Sequence, residues 1–225
     1  MRYVKKLDTP QFFMDDTANL GKWRDYGSTH ELRDKKRKLK EYILDKEQDF
    51  LCIYCESRIT TNKTDSHIEH IKPKEDNKYP ELTFDYKNLV VSCQGNCHNK
   101  EDDNRRYSCG HRKNNEYNEE LFLDPTTKTD IADYFEYEEY IDIEDDITKV
   151  RIKESQKEID KSEYMIRILN LNDENTNITK ERYLEFVKFE NMIVEGGLDI
   201  DEIREFSRGF PFISYLRYKY PWILD

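Results

Sequence analysis

The chain has 225 residues, of which 38% are charged and 36% hydrophobic, and its formal net charge is −11. A packed core is still expected, because the chain contains 16 Tyr, 11 Phe and 2 Trp and each buried aromatic side chain removes about 150–250 Å² from water. No run of about 20 apolar residues predicts a membrane-spanning helix, and the first residues lack the apolar stretch of a signal peptide. We therefore expect a cytoplasmic protein with reduced cysteines, and clustered reduced cysteines indicate a metal site rather than disulfides.

The negative net charge argues weakly against nucleic-acid binding, but the charge is unevenly distributed. The acidic residues concentrate in residues 116–146. The basic residues form two runs, which are Arg33, Lys35, Lys36, Arg37, Lys38 and Lys40 in the first and Arg105, Arg106, Arg112 and Lys113 in the second. The simpler interpretation of the first run is a solvated helix face. The alternative is phosphate contact, because a polyanion responds to the local field more than to the net charge.

The first 49 residues are predicted to contain one helix. Residues 1–28 are expected to be irregular and anchored by Phe12, Phe13 and Trp23. Residues 29–49 are predicted to be helical, with Thr29 as the N-cap. The apolar residues at helical spacing are Leu32, Leu39, Ile43 and Leu44.

Short elements are predicted for residues 50–113. A strand should include Glu69 to Ile71 and end at Pro73. Residues 88–92 are expected to be a short buried segment, residues 93–107 a loop, and residues 109–117 the start of a helix.

The C-terminal half is predicted to begin with strands and continue with helices. Residues 134–152 should form a strand pair with a turn at residues 144–146. Helices are predicted over residues 155–170, 178–195 and 200–208, with Thr176 or Asn177 as the cap of the second. Gly196 and Gly197 separate the last two helices. The final segment is rich in aromatic side chains and is a candidate docking surface or part of the core; its aromatic residues are Phe210, Phe212, Tyr215, Tyr218, Tyr220 and Trp222.

Cys52 and Cys55 have the Cys-x2-Cys spacing of half a zinc site, which lets two thiolates reach one ion from a tight turn. The other half can be formed in two ways. Local spacing favours Cys93 with Cys97, and the alternative pairs Cys93 with Cys109. A site of four thiolates has no open position, so this zinc is expected to be structural rather than catalytic.

Glu69 and His70 form the pair that can cleave a phosphodiester bond. His70 can act as the general base because its unperturbed pKa lies near neutrality. Glu69 offers a hard oxygen to a divalent cation. Neighbouring residues of a strand point to opposite faces, so the pair requires a bend or a cation at the strand edge. Asn88 can brace the loop that orients His70.

Other histidines can complete the cation site. His98 or His111 can supply a ligand from later in the chain. His67 lies two residues before Glu69, on the same face of the predicted strand. The preferred interpretation is that His67 has no specific function. The alternative is that it binds the cation or orients a neighbouring ligand.

These motifs together resemble the HNH nuclease family, whose fold is a ββα-metal finger. The shared pattern is Cys-x2-Cys, an acid–histidine pair before Ile-x-Pro, an Asn before Leu, and a final Cys with a His or Asn nearby. Within that family the sequence is similar to the PtuB group, HNH effectors of the Septu anti-phage systems that also occur with some retrons. The segments that carry this resemblance are residues 52–56, 67–74, 79–80, 85–89, 92–93 and 109–113, followed by 123–125, 135–137, 168–172 and Arg182.

The resemblance implies an α+β fold: an HNH ββα-metal finger with structural zinc, flanked by an N-terminal helix and a mostly helical C-terminal region. The boundaries are an N-terminal segment and helix at 1–50, the nuclease finger at 51–125, and a strand pair plus helices at 126–225, packed as one unit with the finger. The resemblance favours Cys93 with Cys109 as zinc ligands and His111 as the late cation ligand. The segment Cys97-His98-Asn99-Lys100 also resembles the end of ordinary HNH fingers, so two candidates remain for each role.

The expected activity is metal-dependent hydrolysis of nucleic acid, with DNA as the favoured substrate. The catalytic cation is expected to be Mg²⁺ or Mn²⁺, which suit carboxylate and imidazole ligands. The resemblance implies a PtuA-like ATPase as the partner. The alternative is a zinc ribbon that binds a partner or nucleic acid without catalysis, which leaves Glu69, His70 and Asn88 unexplained. A zinc deaminase is disfavoured because the Pro-Cys-x-x-Cys of that signature is absent.

Overall fold

The computed structural model describes residues 1–74, 78–95, 107–144, 146–173 and 177–224 of the chain. Within these residues the chain forms seven α-helices and two two-stranded antiparallel sheets. The helices are α1 (Gln11–Thr17), α2 (His30–Ile43), α3 (Cys109–Lys113), α4 (Ile159–Leu169), α5 (Ile178–Gly196), α6 (Ile200–Ser207) and α7 (Ile213–Lys219). The strands are β1 (Ser66–His70), β2 (Leu89–Cys93), β3 (Phe135–Asp142) and β4 (Ile147–Glu154). The predicted mixture of helices and small antiparallel sheets is confirmed.

Helix α2 begins where the sequence predicts. The hydroxyl oxygen of Thr29 accepts a hydrogen bond from the backbone N–H of Leu32 at 3.1 Å, which caps the first turn. Leu39 and Ile43 are fully buried on one face of the helix. The α-helix ends at Ile43, and Leu44–Gln48 continue it as a π-helix. The predicted single helix is therefore an α-helix followed by a π-helical turn.

The N-terminal residues are more regular than predicted. Helix α1 follows Pro10, and Trp23–Gly27 form a 3₁₀ helix. Helix α1 has seven residues and a single buried side chain, Phe13. Such a short segment carries too little periodicity to indicate a helix from sequence alone.

The finger contains β1, β2 and α3 in the order ββα. Strand β1 starts three residues before the predicted strand and pairs with β2 so that Glu69 lies opposite Val90 and Ser66 opposite Cys93. Every side chain of β2 is buried, as the apolar pattern of the segment predicts. Helix α3 packs against β2 and α4, and its Lys113 side chain reaches Glu69 of β1.

The C-terminal half forms the predicted strand pair and helices. Strands β3 and β4 pair over their full lengths, from Phe135 opposite Glu154 to Asp142 opposite Ile147. The side-chain amide of Asn172 donates to the carbonyl oxygen of Ile152 at 2.7 Å and accepts from the N–H of the same residue at 2.8 Å. Arg182, which is buried, donates to the carbonyl oxygen of Val150 at 2.5 Å. These bonds attach the connection after α4, and helix α5, to β4.

The aromatic C-terminal segment belongs largely to the protein's own core. Phe210, Phe212 and Tyr215 are buried, whereas Tyr218 and Trp222 are 46% and 38% exposed. The ring of Tyr215 packs on that of Tyr137 from β3, with centroids 5.3 Å apart. Burial of three of its six aromatic side chains argues against the whole segment as a docking surface.

Some sequence predictions fall outside the described residues; these are Cys97, His98, Arg105, Arg106, Asp145, Thr176 and most of the 93–107 loop. Asn177 occupies the N-cap position of α5, but its side chain makes no capping hydrogen bond. Among the helices described, none combines the length and the apolar character that crossing a membrane requires.

Candidate functional site

Four cysteines from three parts of the chain meet at one buried point. Cys52 and Cys55 lie in the turn region before β1, Cys93 ends β2, and Cys109 begins α3. Their sulfur atoms all lie within 4.8 Å of one another, and the sulfurs of Cys55 and Cys93 are 3.8 Å apart. Four Zn–S bonds of about 2.3 Å in a tetrahedron place the sulfurs about 3.8 Å apart, so this cluster fits a zinc ion.

The electrostatics of the cluster also fit a cation. Burial opposes ionisation of Cys52, but hydrogen bonds from Cys109, Cys55 and Cys93 outweigh it and lower the pKa of Cys52 well below its usual range. The pKa values of Cys93 and Cys109 are raised, by the neighbouring thiols and by burial respectively. Burial and mutual repulsion oppose several negative charges at this point, so four thiolates together require a bound positive charge. The Cys97 alternative lies outside the described residues.

The turn after Cys55 connects the cysteine cluster to the C-terminal helices. Glu56 follows with φ of 65°, a left-handed conformation. Its buried carboxylate accepts hydrogen bonds from the hydroxyl and the backbone N–H of Ser214 in α7, at 2.5 and 2.9 Å. Phe212 donates its N–H to the carbonyl oxygen of Glu56 at 3.0 Å. Disruption of the cysteine cluster is therefore expected to disturb the C-terminal helices as well as the finger.

The carboxylate of Glu69 lies between a lysine and a histidine. Lys113 Nζ is 2.9 Å from Oε1, and His67 Nε2 is 3.5 Å from Oε2. Burial would raise the pKa of Glu69, but Lys113 and His67 outweigh it and hold that pKa below its usual range. Glu69 is thus ionised at neutral pH, with one oxygen bound to Lys113 and the other directed at His67.

Gly110 of α3 permits this close arrangement. A β-carbon at this position would lie 2.8 Å from His67 Nε2 and 3.1 Å from Glu69 Oε2, so a larger residue would displace both groups. The N–H of Gly110 donates to the Ser92 hydroxyl at 3.0 Å, which fixes α3 on β2. A carboxylate oxygen and an imidazole nitrogen side by side suit a divalent cation such as Mg²⁺ or Mn²⁺.

His70 ends β1 and is only 5% exposed. Its Nε2 lies 3.0 Å from the carbonyl oxygen of Thr83. A carbonyl can only accept, so Nε2 carries the proton and Nδ1 keeps a lone pair. Burial, assisted by the ammonium groups of Lys74 and Lys36, lowers the pKa of His70 to about 4 despite the bond to Thr83. The ring is therefore neutral at pH 7, and Trp23 packs against it with centroids 4.6 Å apart.

Asn88 holds the segment that follows His70. Its side-chain oxygen accepts from the N–H of Lys72 at 2.8 Å, and its amide donates to the carbonyl oxygen of Lys72 at 3.0 Å. The carbonyl oxygen of Asn88 accepts from the N–H of Ile71 at 3.0 Å. Asn88 is buried, so it positions the segment after His70 from within the protein.

A cleft of ≈ 200 Å³ brings the other site residues together. Its walls include Glu69, His70, His67 and His111. The His111 ring lies 4.4 Å from the His67 ring, centroid to centroid. Its Nε2 atom contacts the side-chain oxygen of Gln94. A cation bound by His111 must therefore replace that contact or use Nδ1.

Two residues of this site were not assigned from sequence. Lys113 is fully buried, and its ammonium donates to Glu69 Oε1 and to the carbonyl oxygens of His70 and Asn114 at 2.9, 3.2 and 3.4 Å. A signal was present, since Lys113 follows Cys109 by one helical turn and must face the same way. Trp23 lies far from the motifs in sequence, and no pattern linked it to His70.

The finger thus combines an antiparallel strand pair, a following helix, a cysteine cluster and an acid–histidine pair, which is the arrangement of a ββα-metal finger. The HNH endonuclease family model matches residues 52–104. The matched segment contains both strands of the finger, three of the four clustered cysteines, and Glu69 and His70. The match supports assignment of this segment to the HNH superfamily of metal-dependent nucleases. No curated protein matches the chain at a significant level.

Proposed function

We propose that the protein is a metal-dependent HNH endonuclease that hydrolyses the phosphodiester backbone of DNA. The observation that carries this proposal is the neutral His70, with a lone pair on Nδ1, in the same cleft as the ionised Glu69. A base and a carboxylate ligand in one cleft are the groups that hydrolysis of a phosphodiester requires.

The residues have separate roles in this reaction. His70 Nδ1 accepts a proton from the attacking water, and the Thr83 carbonyl stabilises the resulting imidazolium through Nε2–H. Glu69, together with His67 or His111, would hold a divalent cation, whose chemistry would be to stabilise the negative charge of the phosphate. Lys113 keeps the Glu69 carboxylate in place.

The cysteine cluster has a structural role in this proposal. Cys52, Cys55, Cys93 and Cys109 would hold a zinc ion and leave it no open position. These four ligands would join the end of β2 to the start of α3, where Gly110 lies beside Glu69 and His67. Zinc therefore acts on catalysis only through the fold.

Plasmid cleavage tests the activity. The purified protein should nick or linearise a supercoiled plasmid when Mg²⁺ or Mn²⁺ is added, and EDTA should stop the reaction. Glu69→Ala should be inactive with its zinc retained, whereas Glu81→Ala, which removes an exposed carboxylate of the same finger, should cut normally. Folded, zinc-loaded protein that cuts no nucleic acid with any divalent metal would favour the non-catalytic zinc ribbon.

The biological setting that we propose is a cytoplasmic anti-phage defence system in which a PtuA-like ATPase controls the nuclease. The support is the PtuB resemblance of residues 52–113, together with a net charge of −11 that limits binding of DNA by the isolated chain. Co-expression with an ATPase encoded beside it should give a stable complex, and phage protection should require both proteins. Protection by the nuclease without the ATPase would contradict this arrangement.

A further inference from the structure

A second, larger cleft lies beside the active site. It has a volume of ≈ 740 Å³, and helix α2 and the turn at residues 60–63 form its two sides. Lys40 joins the sides, because its ammonium donates to the carbonyl oxygens of Ser66 and Asn62 at 2.9 and 3.4 Å. His67 and Ile68 of β1 line both this cleft and the active-site cleft. We call this second space the basic cleft.

The basic cleft is strongly cationic in a protein of negative net charge. Its lining contains one carboxylate, Asp34, and five cationic side chains, which are Arg33, Lys36, Arg37, Lys40 and Lys63. Asp34 lies 3.9 Å from Arg37, and both side chains are well exposed, so this ion pair contributes little. Among the described residues, Arg33, Lys36 and Lys63 form no ion pair with a carboxylate.

The other basic residues of α2 are already engaged elsewhere. Lys35 forms ion pairs with Asp16 at 3.2 Å and Glu31 at 3.0 Å. The Lys38 ammonium lies 4.4 Å from the centroid of the Phe12 ring. Neither residue lines the basic cleft. The basic run thus divides into a cleft-facing set and a set that packs against the N-terminal residues.

Lys36 and Trp23 connect the basic cleft to the catalytic base. The Lys36 ammonium lies 4.3 Å from the centroid of the Trp23 ring, and the same ring packs on His70. Burial together with the ammonium groups of Lys74 and Lys40 lowers the pKa of Lys36 to about 8. A polyanion that binds such crowded cations relieves their mutual repulsion and so lowers the free energy of the complex.

We propose that the basic cleft binds the nucleic-acid backbone on one side of the scissile phosphate, with Arg33, Lys36 and Arg37 of α2 as phosphate contacts. This inference rests on the proposed nuclease function and assigns its substrate path. His67 and Ile68 line both clefts, so the two clefts adjoin, and a nucleic-acid strand that leaves the active site can continue into the basic cleft. Arg33 and Arg37 are one turn apart, about 6 Å along the helix, so both can contact one backbone.

The test compares two double variants that remove the same charge from the same helix. Arg33→Gln/Arg37→Gln alters the basic cleft, and Lys35→Gln/Lys38→Gln alters the opposite set. Each is made in His70→Ala protein to prevent cleavage, and binding of a fluorescein-labelled DNA duplex is measured by anisotropy from low to moderate salt. Thermal unfolding of all proteins checks that they are folded.

The cleft variant should lose about 2 from the slope of log affinity against log salt, because each phosphate contact contributes about 0.9. When affinities are referred to 1 M salt, this corresponds to a loss of roughly 30-fold at 0.15 M. The Lys35/Lys38 variant should keep the parent slope. Equal slopes for the two variants would overturn the proposal, whether both fall or neither does.

Cleavage assays separate this inference from the proposed function. In protein with His70 intact, Arg33→Gln/Arg37→Gln should cut plasmid slowly but hydrolyse bis(p-nitrophenyl) phosphate at the unmodified rate, since that small diester needs only the active-site cleft. If the unmodified protein cuts neither substrate, the nuclease function itself fails. If it cuts both and the cleft variant cuts plasmid equally well, only the basic-cleft inference fails. Loss of ATPase co-purification with unchanged DNA affinity would assign the basic cleft to an acidic protein instead.

Discussion

Replacement of Cys109 by serine tests the metal cluster and should remove the zinc and unfold the protein. Cys109 is fully buried, and its sulfur lies within 4.8 Å of the other three. Structural zinc contributes about 10–16 kcal/mol in zinc-finger peptides. This is comparable to the whole free energy of unfolding of a typical domain, about 5–15 kcal/mol. A serine hydroxyl does not replace a thiolate ligand, so most of this contribution is expected to be lost.

The assay measures zinc content by mass spectrometry and thermal unfolding with and without a chelator. The unmodified protein should carry one zinc per chain, and chelation should destabilise it. Cys97→Ser is the matched control, because it removes the remaining cysteine and should keep both the zinc and the melting temperature. If Cys109→Ser keeps its zinc and melts normally while Cys97→Ser does not, the fourth ligand has been assigned wrongly. Soluble, folded protein without zinc would refute the metal cluster altogether.

Three other substitutions or deletions test separate parts of the structure. Lys113→Met should raise the Mg²⁺ concentration needed for plasmid cleavage and lower the rate roughly 10–100-fold, because outer partners orient a ligand such as Glu69; an unchanged Mg²⁺ titration would refute the role of Lys113. DNA affinity should fall between pH 7 and 9 as Lys36, with a pKa of about 8, loses its charge, and Lys36→Arg should abolish this fall while Lys38→Arg preserves it. Truncation after Gly209 should unfold the chain, since it removes several core side chains worth about 2–5 kcal/mol each; a truncated protein with a normal circular dichroism spectrum and cooperative melt would contradict this.

Local signals explain why parts of the fold could be predicted. Thr29 offers a side-chain acceptor just before an amphipathic run, and this marks the start of α2 regardless of its surroundings. The apolar run after Asn88 similarly indicates a buried segment, which the structure shows to be strand β2. Helix α1 escaped prediction because seven residues with one buried side chain carry no periodic pattern.

The candidate site depends more on tertiary contacts. The spacing of Cys52 and Cys55 indicates half of a metal site. Spacing alone, however, favoured Cys97 over Cys109 as the fourth ligand. Only the family resemblance favoured Cys109. The Glu69 contacts to His67 and Lys113 arise where α3 packs on the sheet, across 44 residues of sequence in the case of Lys113. No local pattern encodes such a contact.

The most direct test of the central claim is the effect of His70→Ala on metal-dependent plasmid cleavage. The rate should fall roughly 10²–10⁴-fold, which is the usual contribution of a general base, and the zinc content should not change. His70→Gln serves where the alanine variant folds poorly, since its amide can still donate to the Thr83 carbonyl but cannot accept a proton at neutral pH. His30→Ala, at an exposed histidine of α2, should cut at the unmodified rate. If folded, zinc-loaded His70→Ala or His70→Gln cuts as fast as the unmodified protein, His70 is not the base and the proposed mechanism is wrong.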